Sequence, residues 1–257
     1  MRSVFFVAAS VACALAYLFP YLHLAGSWWR FIPSTVIILA IGTVLRGKGA
    51  VRCFGLAMTR RDLALSVALL ALVLPLFYGV LSEVVVDEAL IARRVLAPRA
   101  KVHQFFQVFN DEILMRAALL TLLLQVFPYP KAVIVGLALV FSGGHRVVYG
   151  LDGTEIGFPA LTTLFSLGVI ANALFVRFRH IGFGFALHYA WNFWRFGTRY
   201  YLDGRHLLEG ETFNYLEGNP WVVGGSVVTM LCVCAAQISW AQRRSYSPGG
   251  RRGCQRR

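Results

Sequence analysis

Between Phe105 and Leu124 the chain reads FFQVFNDEILMRAALLTLLL, a stretch long and apolar enough to cross a bilayer that nonetheless carries Asp111, Glu112 and Arg116. An ionisable group at membrane depth costs at least ~2.5 kcal/mol on insertion scales, so three so close together must face a protein interior or a wet cavity. Glu112 and Arg116 are four apart on one helical face and neutralise each other. Asp111 points about 100° away from Glu112. Its own helix offers it no partner, so one is expected on another helix.

The rest of the chain is of the same kind. Hydrophobic residues make up 58% of the 257 positions and charged residues 14%, with a mean hydropathy of +0.63. That is too apolar for an ordinary soluble domain and predicts an all-α, polytopic membrane helix bundle. Apolar spans are expected at Val4 to Leu22, Phe31 to Leu45, Leu63 to Val86, His103 to Phe127, Ala132 to Tyr149, Pro159 to Phe178, Ile181 to Phe196 and Trp221 to Trp240. These make about eight transmembrane helices, the first read as a retained helix and not a cleaved signal. Residues 1–242 form one membrane domain, and the basic stretch 243–257 is expected to be a disordered tail.

The net charge of +13 is explained by where the basic residues fall. With the N-terminus inside, the inner loops and tail hold 15 basic residues against one acid, and the outer loops hold 9 of each sign. Both termini are therefore expected in the cytoplasm, with the chain in the cytoplasmic membrane and its tail against anionic headgroups. Nucleic acid is excluded as a partner. The five cysteines are scattered without zinc-ligand spacing or a disulfide framework. His180 reads as interfacial, Trp28 and Trp29 as interface anchors, and Gly224-Gly225 as a close helix contact. The long outer loop Gly197 to Pro220, with Asp203, Glu209, Glu211 and Glu217, is a lid over a site or a partner surface.

Two further polar constellations lie inside spans. Phe141-Ser142-Gly143-Gly144-His145 sets an aromatic and a histidine four apart, with a glycine pair that lets a backbone or a substrate come close. His188-Tyr189-Ala190-Trp191-Asn192 sets His and Asn on one face. Counted from the outer helix ends at ~1.5 Å per residue, Asp111 and Glu112 lie ~12 to 14 Å deep, His145 ~6 Å, His188 ~12 Å and Asn192 ~6 Å. Three helices bring their polar residues to the same outer half of the bilayer, which points to one site.

Asp111-Glu112-x-x-x-Arg116, Phe141-x-x-x-His145 and His188-x-x-x-Asn192 resemble, in order and on separate spans, the E-E-x-x-x-R, F-x-x-x-H and H-x-x-x-N signatures of the CPBP intramembrane proteases. That group includes the CAAX prenyl endopeptidases and the bacteriocin-processing and abortive-infection proteins, and the likeness covers roughly residues 103 to 196. The resemblance implies a glutamic-type endopeptidase with no cofactor. A carboxylate of the first motif and His145 would activate water, and His188 and Asn192 would stabilise the oxyanion. Arg116 would orient Glu112 or grip the substrate, with Phe141 beside it.

The departure from the pattern is Asp111, one methylene shorter than the glutamate expected there. Reach favours Glu112 as the base; the family's use of the first position favours Asp111. A zinc site of Glu112, His145 and His188 lacks the H-E-x-x-H spacing. A carrier or chaperone-like binder using the same groups as a relay is the alternative outside the enzymes. The implied substrates are membrane-anchored proteins. Because the site faces outward, the expected ones are exported proteins cut at a C-terminal hydrophobic sorting or anchor segment, as by exosortase- or myxosortase-like members of the group, with bacteriocin leaders second.

Overall fold

The computed structural model describes residues 2–23, 31–46, 49–82, 98–151, 153–195, 201–202, 205–206 and 209–245. The polar connection 83–97, Trp28, Trp29, Asp203 and the tail from 246 onward lie outside the described residues.

Helices form wherever hydrophobic periodicity placed a span. They are α1 (Arg2–His23), α2 (Phe31–Arg46), the short α3 (Ala50–Cys53), α4 (Arg60–Ser82) and α5 (Pro98–Glu112). The chain then passes without a break through a π-helical segment (Ile113–Leu120) into α6 (Thr121–Val126). It continues as α7 (Pro130–Gly150), α8 (Phe158–Phe178), α9 (Gly182–Arg195), α10 (Glu209–Leu216) and α11 (Pro220–Ser245). The last helix runs three residues past the expected start of the tail. A two-residue antiparallel pair, β1 (Tyr201–Leu202) with β2 (Arg205–His206), precedes α10.

Local chemistry sets the boundaries. α7 and α8 each open with a proline in the first turn, where the missing N–H costs nothing. At the start of α4, Thr59 and Asp62 cap one another: the Thr59 N–H donates to Asp62 Oδ2 at 3.0 Å and the Asp62 N–H to Thr59 Oγ1 at 3.1 Å. α8 stops at Arg179, whose φ of 63° turns the chain back into α9. That turn packs on Gly55, whose carbonyl accepts the Ile181 N–H at 3.1 Å. A Cβ at Gly55 would stand 2.9 Å from His180 Cα, so only glycine allows the approach.

His180 is buried, not interfacial, because this turn folds beneath the α3–α4 connection. Its Nδ1 accepts the Gly182 N–H at 3.2 Å, and its Nε2 lies 3.7 Å from the Asp62 carboxylate. Burial holds its pKa below the ordinary histidine value, and Asp62 offsets part of that.

Among the described residues four helices are long and apolar enough to cross a membrane: Arg60–Val80, Pro130–Gly150, Phe158–Phe178 and Pro220–Gln237. Shorter apolar stretches lie at Val4–Ala16 and Ile32–Val44. Leu63, Leu65, Val67, Leu72 and Leu76 of α4 are exposed, an outward apolar face of the kind lipid covers and water does not. Gly224 and Gly225 do not mark a helix contact: a Cβ at either would meet nothing within 4 Å.

The π segment is the centre of the bundle. All eight of its residues are buried, and α1, α2, α7 and α8 pack around it. One turn before it, Asn110 Oδ1 accepts hydrogen bonds from Ser34 Oγ and Thr35 Oγ1 of α2, each at 2.9 Å. This three-way contact sets the depth and rotation of α5 immediately before its two carboxylates. Asn110→Ala should lower the thermal midpoint in lipid by an amount matching about 1 to 3 kcal/mol, since it strands two hydroxyl donors at a buried contact. Thermal unfolding of the variant in nanodiscs measures this, and an unchanged midpoint would mean the contact does not hold α5.

Candidate active site

Four helices and the segment around α10 meet at a cavity of about 60 Å³, with Leu164, Leu167, Ile170 and Ala171 of α8 forming its apolar side. α5 and the π segment contribute Gln107, Asp111 and Arg116; α7 contributes Phe141, His145 and Tyr149. α9 contributes Gly184, His188, Trp191 and Asn192, and the segment around α10 contributes Phe213 and Glu217. Glu112 stands directly behind this wall. All seven residues singled out from the three sequence motifs are therefore brought together. The spacings explain why: Phe141, His145 and Tyr149 repeat every four positions on α7, as Gly184, His188 and Asn192 do on α9.

Glu112 is the anchor. Its side chain is fully buried, and its Oε1 accepts from Arg116 Nη1 at 2.9 Å and from His188 Nδ1 at 3.1 Å. One oxygen thus binds a guanidinium on its own helix and an imidazole on α9. The other, Oε2, accepts no hydrogen bond from the described residues. It sits over Gly184, where a Cβ would come within 2.6 Å of it. Arg116 also lies 5.4 Å from the Phe141 ring centroid, a cation–π contact that ties the first motif to the second.

Each of the two histidines is anchored through its Nδ1. His145 Nδ1 is 2.8 Å from the Phe141 carbonyl, which can only accept, so Nδ1 carries the proton and Nε2 keeps a lone pair. The His145 ring stands edge-on to Phe141 at 4.5 Å and to Phe213 at 5.5 Å. His188 Nδ1 must likewise donate to the Glu112 carboxylate, leaving its Nε2 as the second functional atom. Asp111 is only half-buried, and it lines the cavity together with His145.

The loop residue Glu217 belongs to the site, which sequence reasoning missed. It is fully buried; its Oε1 accepts the Trp191 Nε1–H at 3.1 Å, and its carbonyl accepts Thr163 Oγ1 at 2.7 Å. Asn214 binds the Gly157 N–H and the Glu155 carbonyl, at 2.6 and 2.7 Å, and pins the same segment to the start of α8. Of the described part of this loop, Phe213 and Glu217 line the cavity. Gln107, Tyr149 and Gly184 were also missed, although Gln107 and Tyr149 stand four residues from motif residues on the same faces. Among the described residues, no three His, Cys, Asp or Glu side chains converge as a metal site would require.

Carboxylates, histidines and an amide around a small water-sized space inside an apolar bundle define a membrane hydrolase. Residues 64–194 match the family described as type II CAAX prenyl endopeptidase Rce1-like. The chain belongs to this family and is a multi-pass membrane peptidase. No curated protein and no solved structure matches it. The match spans all three motifs and ends before Phe213 and Glu217.

Gly184→Ala should displace the Glu112 carboxylate, which two hydrogen bonds hold against the glycine. A displacement near 1 Å at a catalytic group costs about 10²-fold in rate. The expected outcome is a folded protein with kcat reduced to that degree, read with any cleaved substrate and checked against the unfolding midpoint. Wild-type activity would mean that Glu112 is free to move.

Proposed function

We propose that the chain is an intramembrane endopeptidase that needs no metal, with the layout of the glutamic type but with Asp111, at the position of the first glutamate, as the base. Asp111 and His145 hold a water between them; as the water oxygen attacks the scissile carbonyl carbon, one of its protons passes to Asp111. His188 Nε2–H and the Asn192 amide donate to the oxyanion that forms. The proton then passes to the leaving nitrogen and the C–N bond breaks. Glu112 keeps His188 aimed, and Arg116 pairs with Glu112.

The observation carrying this division of labour is the double engagement of Glu112 Oε1 by Arg116 and His188, while Asp111 faces the cavity beside His145. The longer reach that favoured Glu112 from sequence is spent on those two partners. Asp111→Asn should lower kcat by about 10² to 10⁴-fold and leave stability unchanged. Glu112→Gln should lose both, because removing one partner of a buried ion pair costs about 3 to 5 kcal/mol. Activity and unfolding midpoints of the two variants decide; the reverse pattern makes Glu112 the base. Zinc chelators should leave activity intact, and inactivation reversed by zinc would overturn the mechanism.

The topology proposed is eight spans in the cytoplasmic membrane, both termini inside, and the site toward the outer half under the loop that carries Glu217. Charge asymmetry between the loops supports it. The substrates proposed are exported proteins with a C-terminal hydrophobic sorting or anchor segment, since an outward-facing site meets such a segment near its outer boundary. A helix must expose its backbone there before water can attack it. Comparing the C-termini of secreted and anchored proteins by mass spectrometry, in cells with wild-type or Asp111→Asn enzyme, should reveal termini that only the wild type produces. Cysteine labelling that places Glu211 inside, or changes confined to cytoplasmic prenylated tails or N-terminal leaders, would overturn the assignment.

A further inference from the structure

A second cavity, of about 270 Å³, adjoins the first and shares Gln107, Asp111, Phe141, His145 and Tyr149 with it. It is otherwise apolar. Ala14 of α1 lies on one side, Leu114, Met115 and Leu119 of the π segment on another, and Val140, Gly144 and Val148 of α7 on the third. Val140, Gly144 and Val148 are spaced by four and form one ridge of α7, with the glycine as a notch in its middle. Among the described residues nothing fills that notch: a Cβ at Gly144 would meet no atom within 4 Å. A glycine in the middle of a helix costs up to ~1 kcal/mol against alanine. This one, unlike Gly55 or Gly184, makes no close contact in return. It stands next to His145, at the junction of the two cavities.

We propose that this groove is the substrate's seat, with the Gly144 notch receiving the peptide backbone on one side of the scissile bond and the valine, leucine and methionine walls receiving the adjoining apolar side chains. The occupant is an apolar peptide segment of a membrane-anchored protein, in extended form. An acyl chain fits the apolar walls but leaves the Gln107 amide facing hydrocarbon, whereas a peptide backbone offers it both a donor and an acceptor. Continuity with the catalytic cavity gives the groove its direction: a backbone lying in the notch leads to the space between Asp111 and His145. The proposal rests on the peptidase reading and names where that activity takes its substrate.

The test does not depend on turnover. Full-length Asp111→Asn protein in phosphatidylcholine nanodiscs is irradiated with a Leu/Ala peptide of ~20 residues, long enough to cross the hydrocarbon, that carries a photoreactive leucine analogue. Adducts are mapped by mass spectrometry. Labelling should concentrate on the Val140–Val148 ridge, and Gly144→Leu in the same background should reduce it by about tenfold, as a filled notch loses more than one kcal/mol of contact. Labelling at Val135 and Leu139, which are exposed on the same helix but do not line the groove, should not change. Gly144→Ala adds one carbon and helix propensity, so it should fold at least as well and weaken labelling by a few fold; it carries the test if the leucine variant does not fold. Equal labelling of the two faces, indifference to both substitutions, or labelling of the ridge by a photoreactive fatty acid that the peptide does not displace would overturn the proposal. Because the protein used is inactive, a failed search for cleaved termini and a failed labelling experiment are separate results.

Discussion

One carboxylate oxygen, Glu112 Oε1, holds the arrangement together, binding Arg116 at 2.9 Å and His188 at 3.1 Å in full burial. A buried charge is tolerable only when paired, and losing either partner leaves the other stranded in a low dielectric. The bond from His188 to that oxygen also keeps α9 rotated so that His188 faces the cavity. Packing of the bundle and the geometry of the cavity share an atom here. Arg116 extends the tie to α7 through the Phe141 ring, so one ion pair registers the three helices that carry the motifs.

The backbone beneath this pair is unusual for a reason the side chains make plain. From Ile113 to Leu120 the helix is π-wound, a geometry that occurs mostly as short insertions near functional sites. Widening the turn brings residues four apart closer to alignment, which suits Glu112 and Arg116. It also lets Asp111 and Arg116 line one cavity although they are five positions apart. Asn110, held by two hydroxyls of α2, fixes where the widened stretch begins.

Much of this was legible in the sequence because helical spacing alone decides it. Asp111, Glu112, Arg116, Phe141, His145, His188 and Asn192 are each paired with another by a separation of three to five within one span, and depth within a span follows from counting. What escaped reading depends on contacts between distant segments. Glu217 looked like one loop acid among several, since nothing local shows that Trp191 is its partner. His180 looked interfacial because it ends a span, and only the approach of Gly55 buries it. Gly184 and Gly224 are alike in sequence, yet one lies under a carboxylate and the other meets no neighbour. The π segment has the composition of an ordinary helix.

The segment from α10 to Glu217 ties down one side of the cavity with Asn214, Thr163 and Trp191 contacts, and Phe213 rests on the His145 and Tyr149 rings. A water-soluble peptide arriving from that side has to break this set of contacts before it meets Asp111, whereas a chain already dissolved in the bilayer does not. Competition between the two is therefore unequal. Partition into lipid, more than affinity measured in buffer, ranks the compounds able to inhibit such an enzyme.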